Sequence, residues 1–227
     1  DLGIGNPKVR PDKAMGYTAC QKATSEYLEQ GCVGAGTGAT IGKFLGADFA
    51  MKSGIGSASC VLSNGFAVAA LVAVNAMGDV YENGRIIAGL RDADGHFADT
   101  CKAMLSQAED NSQLEEDAQA LLSFQKGKNT TIGIIATNGC FTKAQAAKIA
   151  DMGHQGLVRA IRPAHTTVDG DTLFALATGE MPGSVDAAGE MAAIVVERAI
   201  IKAVKSAVSL GNLPAWQDLQ PKSANKK

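Results

Sequence analysis

Twice in its first half this chain sets Asn-Gly between two strand-like runs, and no other local signal constrains the fold as much. Asn64-Gly65 lies between the alternating residues Ile55, Ser57, Ser59 and Val61 and the apolar run from Phe66 to Val74. Asn83-Gly84 separates Val80-Tyr81 from Arg85-Ile86-Ile87. Asn and Gly tolerate the positive φ that a two-residue hairpin turn demands, so each pair predicts an antiparallel hairpin. Together they predict a meander with small residues on its faces. With 26 glycines and only 5% aromatic residues, the chain must pack backbone close to backbone. The glycines have no period of three and stand among Val, Ile and Leu, which excludes collagen-like and linker readings.

The second half reads differently. Thr131 to Thr137 predicts a buried strand, and Thr142 with Gln145 three residues on is a capping-box signature. The helix it opens has the apolar face Ala146, Ile149, Ala150, Gly153, Leu157, Ala160 and Ile161, and Pro163 stops it. A short strand over Thr172 to Thr178 and a long Ala/Val/Ile helix from Val185 to about Leu210 follow. Near the start, Pro11 suits a first helical position, and Met15, Cys20, Ala23, Tyr27 and Leu28 form a stripe reaching about Glu29. From about Ala88 to Lys128 the chain is polar and acidic. It reads as a long surface excursion or flexible connector with one helix near 112–124. The polar end, 217–227, reads as frayed. Strands followed by helices favour α+β layers over a doubly wound sheet.

At 227 residues the chain is one ordinary domain or two small ones, with ample material for a core, and 46% hydrophobic against 19% charged residues excludes disorder. Lys and Arg total 21 against 23 Asp and Glu, a net charge of −2 without a basic block, so neither nucleic acid nor a membrane is an expected partner. No apolar run reaches membrane-spanning length. Five widely spaced cysteines with no C-x-x-C pair argue against a disulfide framework and a zinc site. They fit a reducing, cytoplasmic setting, with a catalytic thiol as the minority alternative. No metal and no cofactor are expected. The chain opens on Asp1 rather than Met, which reads as a fragment or processed product.

Several residues could carry chemistry. Gly38 to Gly42-Lys43 invites a phosphate-loop reading but is one residue too short, and Phe44 stands where Ser or Thr should hold magnesium. Lys43 in its small, apolar setting is either snorkelling or functional. Asp169-Gly170-Asp171 puts two carboxylates on one side of an extended segment, and Gly170 lets another backbone approach. Such a pair binds a cation, holds a protonated amine or works as an acid/base pair; a solvated turn explains the same pattern. His154 and His165 read as helix-end or packing histidines rather than metal ligands. At Lys126-Gly-Lys-Asn129-Thr130-Thr131-Ile132 a polar connector turns abruptly into a strand. A Thr there is a strand-entry residue, or a nucleophile if the bond before it is cut. The freed α-amine, with a pKa of about 7.7–8.0, can serve as base for its own hydroxyl.

Three stretches, Asn129-Thr-Thr-Ile-Gly-Ile-Ile-Ala-Thr-Asn138, His154-Gln-Gly-Leu-Val-Arg-Ala-Ile-Arg-Pro-Ala-His165-Thr166 and Asp169-Gly-Asp-Thr-Leu-Phe174, resemble the DmpA-type aminopeptidases. That group includes β-peptidyl aminopeptidases and nylon-oligomer hydrolases. Asp1 to Pro7, Lys52 to Ser59 and Val74 to Val80 resemble it too, leaving only 88–128 outside. The resemblance implies a four-layer αββα sandwich, of the type shared with ornithine acetyltransferases, and an N-terminal-nucleophile hydrolase that cuts itself between Asn129 and Thr130. Residues 1–129 would then belong to an α subunit, with 88–128 its variable connector, and 130–227 would be a β subunit within one hydrolase domain. Thr130 would be the nucleophile. Lys43 and Asn75 match the Lys and Asn of the nylon-hydrolase branch, with Lys52 a competing position, and Asp169 and Asp171 match its paired acids. The family also carries sheet and pocket residues ahead of the position of Asp1 that this sequence does not contain.

The expected activity is therefore an aminopeptidase on small peptides or amides, working through an acyl-Thr intermediate. A hydrolase of 6-aminohexanoate oligomers is the alternative within the family. An ornithine-acetyltransferase-type enzyme fits less well, because its Ala-Thr-Met-Leu junction differs from Asn129-Thr-Thr-Ile132; a non-catalytic relative is the remaining reading. The implied partners are the substrate, the chain's own cleaved subunit and further copies in a homo-oligomer of four or more.

Overall fold

A computed structural model describes residue 6 and residues 8–109 and 129–220. In chain order it contains α1 (Lys13–Gln21), β1 (Thr40–Ile41), β2 (Met51–Lys52), β3 (Ile55–Val61), β4 (Ala67–Ala73), β5 (Asp79–Glu82), β6 (Arg85–Ala88) and α2 (Thr100–Glu109). Beyond the junction follow β7 (Ile132–Gly139), α3 (Lys143–Ala160), β8 (Ile161–Arg162), β9 (Thr172–Met181) and α4 (Val185–Lys205). The main sheet has the order β3-β4-β7-β9, antiparallel except for the parallel β7–β9 pair, which α3 connects.

Both expected hairpins form. Asn83 and Gly84 adopt φ values of 52° and 76°, the left-handed pair that a tight turn between twisted strands requires. The hairpins do not make one meander, however. β5 and β6 join β8 in a separate three-stranded sheet. The chain leaves the main sheet after β4 because residues 75–78 give their carbonyls elsewhere: Asn75 to the Thr130 amide, Met77 to that of Lys43 and Gly78 to that of Gly42. The break in the sheet is what builds the site.

α3 and α4 pack together on one face of the main sheet. Val68, Val72, Ile135 and Leu173 point from the strands into a core with Ile149 and Leu157 of α3 and Val195, Val196 and Ile200 of α4. Burying each such side chain contributes about 1.5–3 kcal/mol. The small residues set the spacing. A Cβ on Gly56 would lie 2.2 Å from the Ala199 carbonyl oxygen, and one on Gly156 would lie 2.0 Å from that of Ala193, so α4 rests directly on the backbones of β3 and α3. Thr142 and Gln145 form the predicted capping box at the start of α3.

Four further expectations need correction. β7 is buried on one face only: Gly133, Ile135 and Thr137 turn inward, whereas Ile132 and Ile134 lie on the opposite face beside Phe174, which is 56% exposed. α1 begins after its cap Asp12 and stops at Gln21, short of Glu29, because its stripe buries no residue. The stretch after Ala88 is not all connector. Leu90 is fully buried, and the Asp79 carboxylate takes the Leu90 amide at 2.7 Å and the Thr100 amide and hydroxyl at 2.6 and 2.7 Å, tying down the segment and capping α2. Trp216–Leu219 forms a 3-10 turn rather than a frayed end, with the Lys205 ammonium 5.4 Å above the Trp216 ring. The helix expected near 112–124 and the last residues, 221–227, lie outside the described residues. No helix among the described residues is long and apolar enough to cross a membrane.

Candidate active site

Thr130 stands between Asn129, which bridges to Asp169 in parallel, and the first residues of β7. Its amide donates to the Asn75 carbonyl at 2.7 Å. Its hydroxyl lies 2.6 Å from the carbonyl oxygen of Asn129, the group at the predicted cut. The same oxygen accepts the Gly170 amide at 2.9 Å. Two donors therefore converge on one carbonyl and draw electron density from its carbon, the arrangement that favours attack there. Gly170 is required by distance rather than by conformation: a Cβ at that position would lie 2.7 Å from Thr130 Oγ1.

Of the paired acids, Asp171 holds the strand entry and Asp169 ties down its own loop. Asp171 Oδ1 accepts the Thr131 amide at 2.8 Å, and the Thr172 amide continues the ladder to the Thr131 carbonyl at 2.9 Å. Asp169 Oδ2 accepts the amide and hydroxyl of Thr166 at 3.0 and 2.6 Å. The buried Asp169 Oδ1 has no hydrogen-bond partner among the described residues. A carboxylate oxygen in that condition is costly unless a donor arrives. Burial pushes the Asp171 carboxyl above its usual range and the charge of Asp169 adds to this; the Thr131 amide and His165 pull the other way.

Lys43 is buried, and its ammonium donates to Asn75 Oδ1 at 2.8 Å. The Thr40 amide and hydroxyl reach that oxygen too, at 3.2 and 3.3 Å, so the Asn75 oxygen faces three donors and its NH2 group faces the other way. Asn75 thus joins Lys43 through its side chain to Thr130 through its main chain. Lys52 goes elsewhere. Its ammonium donates to the Thr37 and Ala39 carbonyls at 2.9 and 2.7 Å, and burial pushes its pKa down while Cys32 pulls it up. Of the two candidate lysines, Lys43 is the one at Asn75.

Sequence reasoning missed three contributors: Thr40, Thr166 and the pairing of His165 with Asp171. The His165 Nδ1 lies 3.2 Å from Asp171 Oδ2. Thr40 meets Asn75 across 35 residues, which no spacing rule predicts; Thr166 and Asp169 close a local turn at i and i+3, a spacing that could have signalled the contact. The five cysteines are free. Among the described residues one trio, Asp92, Asp94 and His96, brings its ligand atoms within 4.8 Å of one another; all three side chains are exposed.

The chain matches the profile of Peptidase family S58 over residues 4–213. It is 36% identical over 236 residues to an uncharacterized aminopeptidase of Mycobacterium tuberculosis, covering 97% of this chain and 65% of that protein. It is also 31% identical over 219 residues to a 6-aminohexanoate-oligomer endohydrolase of a Kocuria species, covering 90% of this chain and 59% of the relative. The chain therefore spans less than two thirds of the length of either. Among solved structures it resembles the L-aminopeptidase D-Ala-esterase/amidase of Ochrobactrum anthropi, a variant of the Ntn-hydrolase fold, with a TM-score of 0.57 and 20% identity over 86% of this chain and 49% of that one. A β-aminopeptidase of a Burkholderia species gives a TM-score of 0.61 at 21% identity, covering 89% of this chain and 55% of that one. The α+β architecture is the fold that these solved structures share.

Proposed function

This chain belongs to Peptidase family S58, and on that footing we propose that it is an N-terminal-nucleophile amide hydrolase whose nucleophile, Thr130, is exposed by cleavage of the Asn129–Thr130 bond. The observation that carries this reading is the Thr130 hydroxyl 2.6 Å from an Asn129 carbonyl oxygen that also accepts the Gly170 amide. Thr is stiff at χ1, so its hydroxyl is held beside this carbonyl.

In self-cleavage the Thr130 Oγ1 bonds to the Asn129 carbonyl carbon. The carbon–nitrogen bond breaks, and the Thr130 nitrogen takes up the hydroxyl proton. Water then cleaves the ester: its oxygen joins the Asn129 carbonyl carbon as a carboxylate, one of its protons restores the Thr130 hydroxyl, and the other goes to the amine or to solvent, the amine keeping the proton it gained. The released α-amine, with a pKa of about 7.7–8.0, is in range to act as base in later turnovers. A substrate acyl group would follow the same course: ester formation on Thr130 with departure of the amine, then hydrolysis. Lys43 and Asn75 stabilise developing negative charge, and the open Oδ1 of Asp169 receives an ammonium, either the new N-terminus or the substrate's own.

Small peptides and amides with a free amine are the substrates this arrangement suits. The similarity to the 6-aminohexanoate-oligomer endohydrolase supports a second reading, since such oligomers present the same free amine on a longer arm. A denaturing mass spectrum of the purified protein tests the nucleophile. Two fragments dividing at Thr130 are expected from the native sequence, and a single uncut, inactive chain from Thr130→Ala. Normal cutting in that variant would move the nucleophile elsewhere. Aminoacyl p-nitroanilides compared with aminohexanoate oligomers separate the two substrate classes.

A further inference from the structure

Behind Asp171 stands a pair of histidines that neither the nucleophile nor the paired acids account for. His165 lies in the loop before β9 with φ 57°, a left-handed conformation that histidine adopts more readily than most residues. That conformation turns both its main chain and its ring towards one carboxylate oxygen: the amide is 3.3 Å and Nδ1 is 3.2 Å from Asp171 Oδ2. Asp171 Oδ1 remains for the Thr131 amide. On its far side, His165 Nε2 lies 3.2 Å from Nδ1 of His154 on α3. His154 in turn lines a cleft of about 650 Å³ between α3 and β9. Thr131, Asp171, His165 and His154 thus form one line from the residue after the candidate nucleophile to solvent.

We propose that His165 is a positioning residue for the reaction: by holding the Asp171 carboxylate ionised and oriented, it fixes the Thr131 amide and through it the approach of Thr130 to its carbonyl. The inference rests on Thr130 being the nucleophile. A protonated His165 donates from Nδ1 to Asp171 and from Nε2 to His154, whose Nδ1 must then be an acceptor. Burial pushes the His154 pKa down and His165 lowers it further, against the pull of Asp171 and Asp151, which favours the acceptor role that this arrangement asks of it. The charged groups facing Asp171 are Asp169 and His165 from its own loop, with His154 behind on α3. Burial and Asp169 favour protonation of Asp171. His165 opposes both.

The test is the pH profile of self-cleavage and of amide hydrolysis in the purified protein carrying His165→Ala or His165→Asn. Asn tolerates the left-handed conformation and offers a donor near the place of Nδ1, but carries no charge. In His165→Ala the acid limb should move up by about one pH unit, since an opposite charge at this distance shifts a carboxyl by that order or more. In His165→Asn the limb should also move up while the plateau rate exceeds that of the alanine variant. If alanine prevents folding, the asparagine variant alone carries the test. A rate reduced equally at every pH, or a limb that stays in place, would overturn the proposal. Activity surviving in Thr130→Ala would instead overturn the reading beneath it, so the two failures are distinct.

Discussion

The Lys43 ammonium sits 2.8 Å from Asn75 Oδ1, and the main-chain carbonyl of that same asparagine takes the Thr130 amide at 2.7 Å. One residue thus couples a buried cation to the strand entry. It can do so because residues 75–78 have left the sheet and pair with residues far away in the sequence.

Replacing Lys43 should separate the two buried lysines. In Lys43→Ala the Asn75 oxygen keeps its two Thr40 donors, so the fold should persist. Amide hydrolysis should fall by about a hundredfold or more, the usual cost of losing one group that stabilises transition-state charge. Lys52→Met instead strips a donor from the Thr37 and Ala39 carbonyls. It should lower stability by about 1–3 kcal/mol in urea melts while activity per folded molecule changes by less than tenfold. The opposite pattern would exchange their roles.

Gly170→Ala is a narrow probe of the geometry. The added Cβ would sit 2.7 Å from Thr130 Oγ1 and 3.8 Å from the Asn129 oxygen, so the hydroxyl must shift while the main chain has no positive φ to defend. Self-cleavage should slow by about a hundredfold, as expected when a reacting group is displaced by around an ångström. The melting temperature should change little. Cleavage at the native rate would show that the hydroxyl's present approach is not the reactive one.

Asp79 predicts a pH effect remote from the chemistry. Burial raises its carboxyl above the ordinary 3.8, although Leu90 and Thr100 pull it back by hydrogen bonding. A carboxyl raised in the folded state binds its proton more tightly there than in the unfolded chain. Its contribution to stability is therefore full below the unfolded value and is lost as pH rises through the folded one. Asp79→Asn cannot titrate. The stability of the native protein minus that of the variant should thus decrease from acid pH upward, as read by urea unfolding at a series of pH values. A constant or rising difference would contradict the buried state of this carboxyl.

The hairpin turns and the cap of α3 were legible because their chemistry is local: Asn83-Gly84 and Thr142 with Gln145 each satisfy their own backbone. Gly170 was legible as a place where another backbone approaches, which is that of Asn129, and the Thr130 hydroxyl comes closer still. The separation of the two hairpins into different sheets was hidden, because nothing in Val74-Asn75-Ala-Met-Gly78 says that its carbonyls serve Lys43 and Thr130 instead of a neighbouring strand. The long reach of the stripe after Pro11 misled for the converse reason: periodicity describes a face, and a helix extends only where that face finds something to cover. His154 and His165 looked like packing residues because their meeting depends on one left-handed residue in a loop.

The central place of β7 has a consequence for a chain cut at its threshold. Newly made chain ends ordinarily fray and lose their orientation within a few residues. This one would begin two residues before a strand laced to β4 on one edge and β9 on the other, with Thr130 and Thr131 themselves hydrogen-bonded to Asn75 and Asp171. Severing the peptide bond removes no rung of either ladder. The terminus would be born anchored, and its amine would stay where the bond had been.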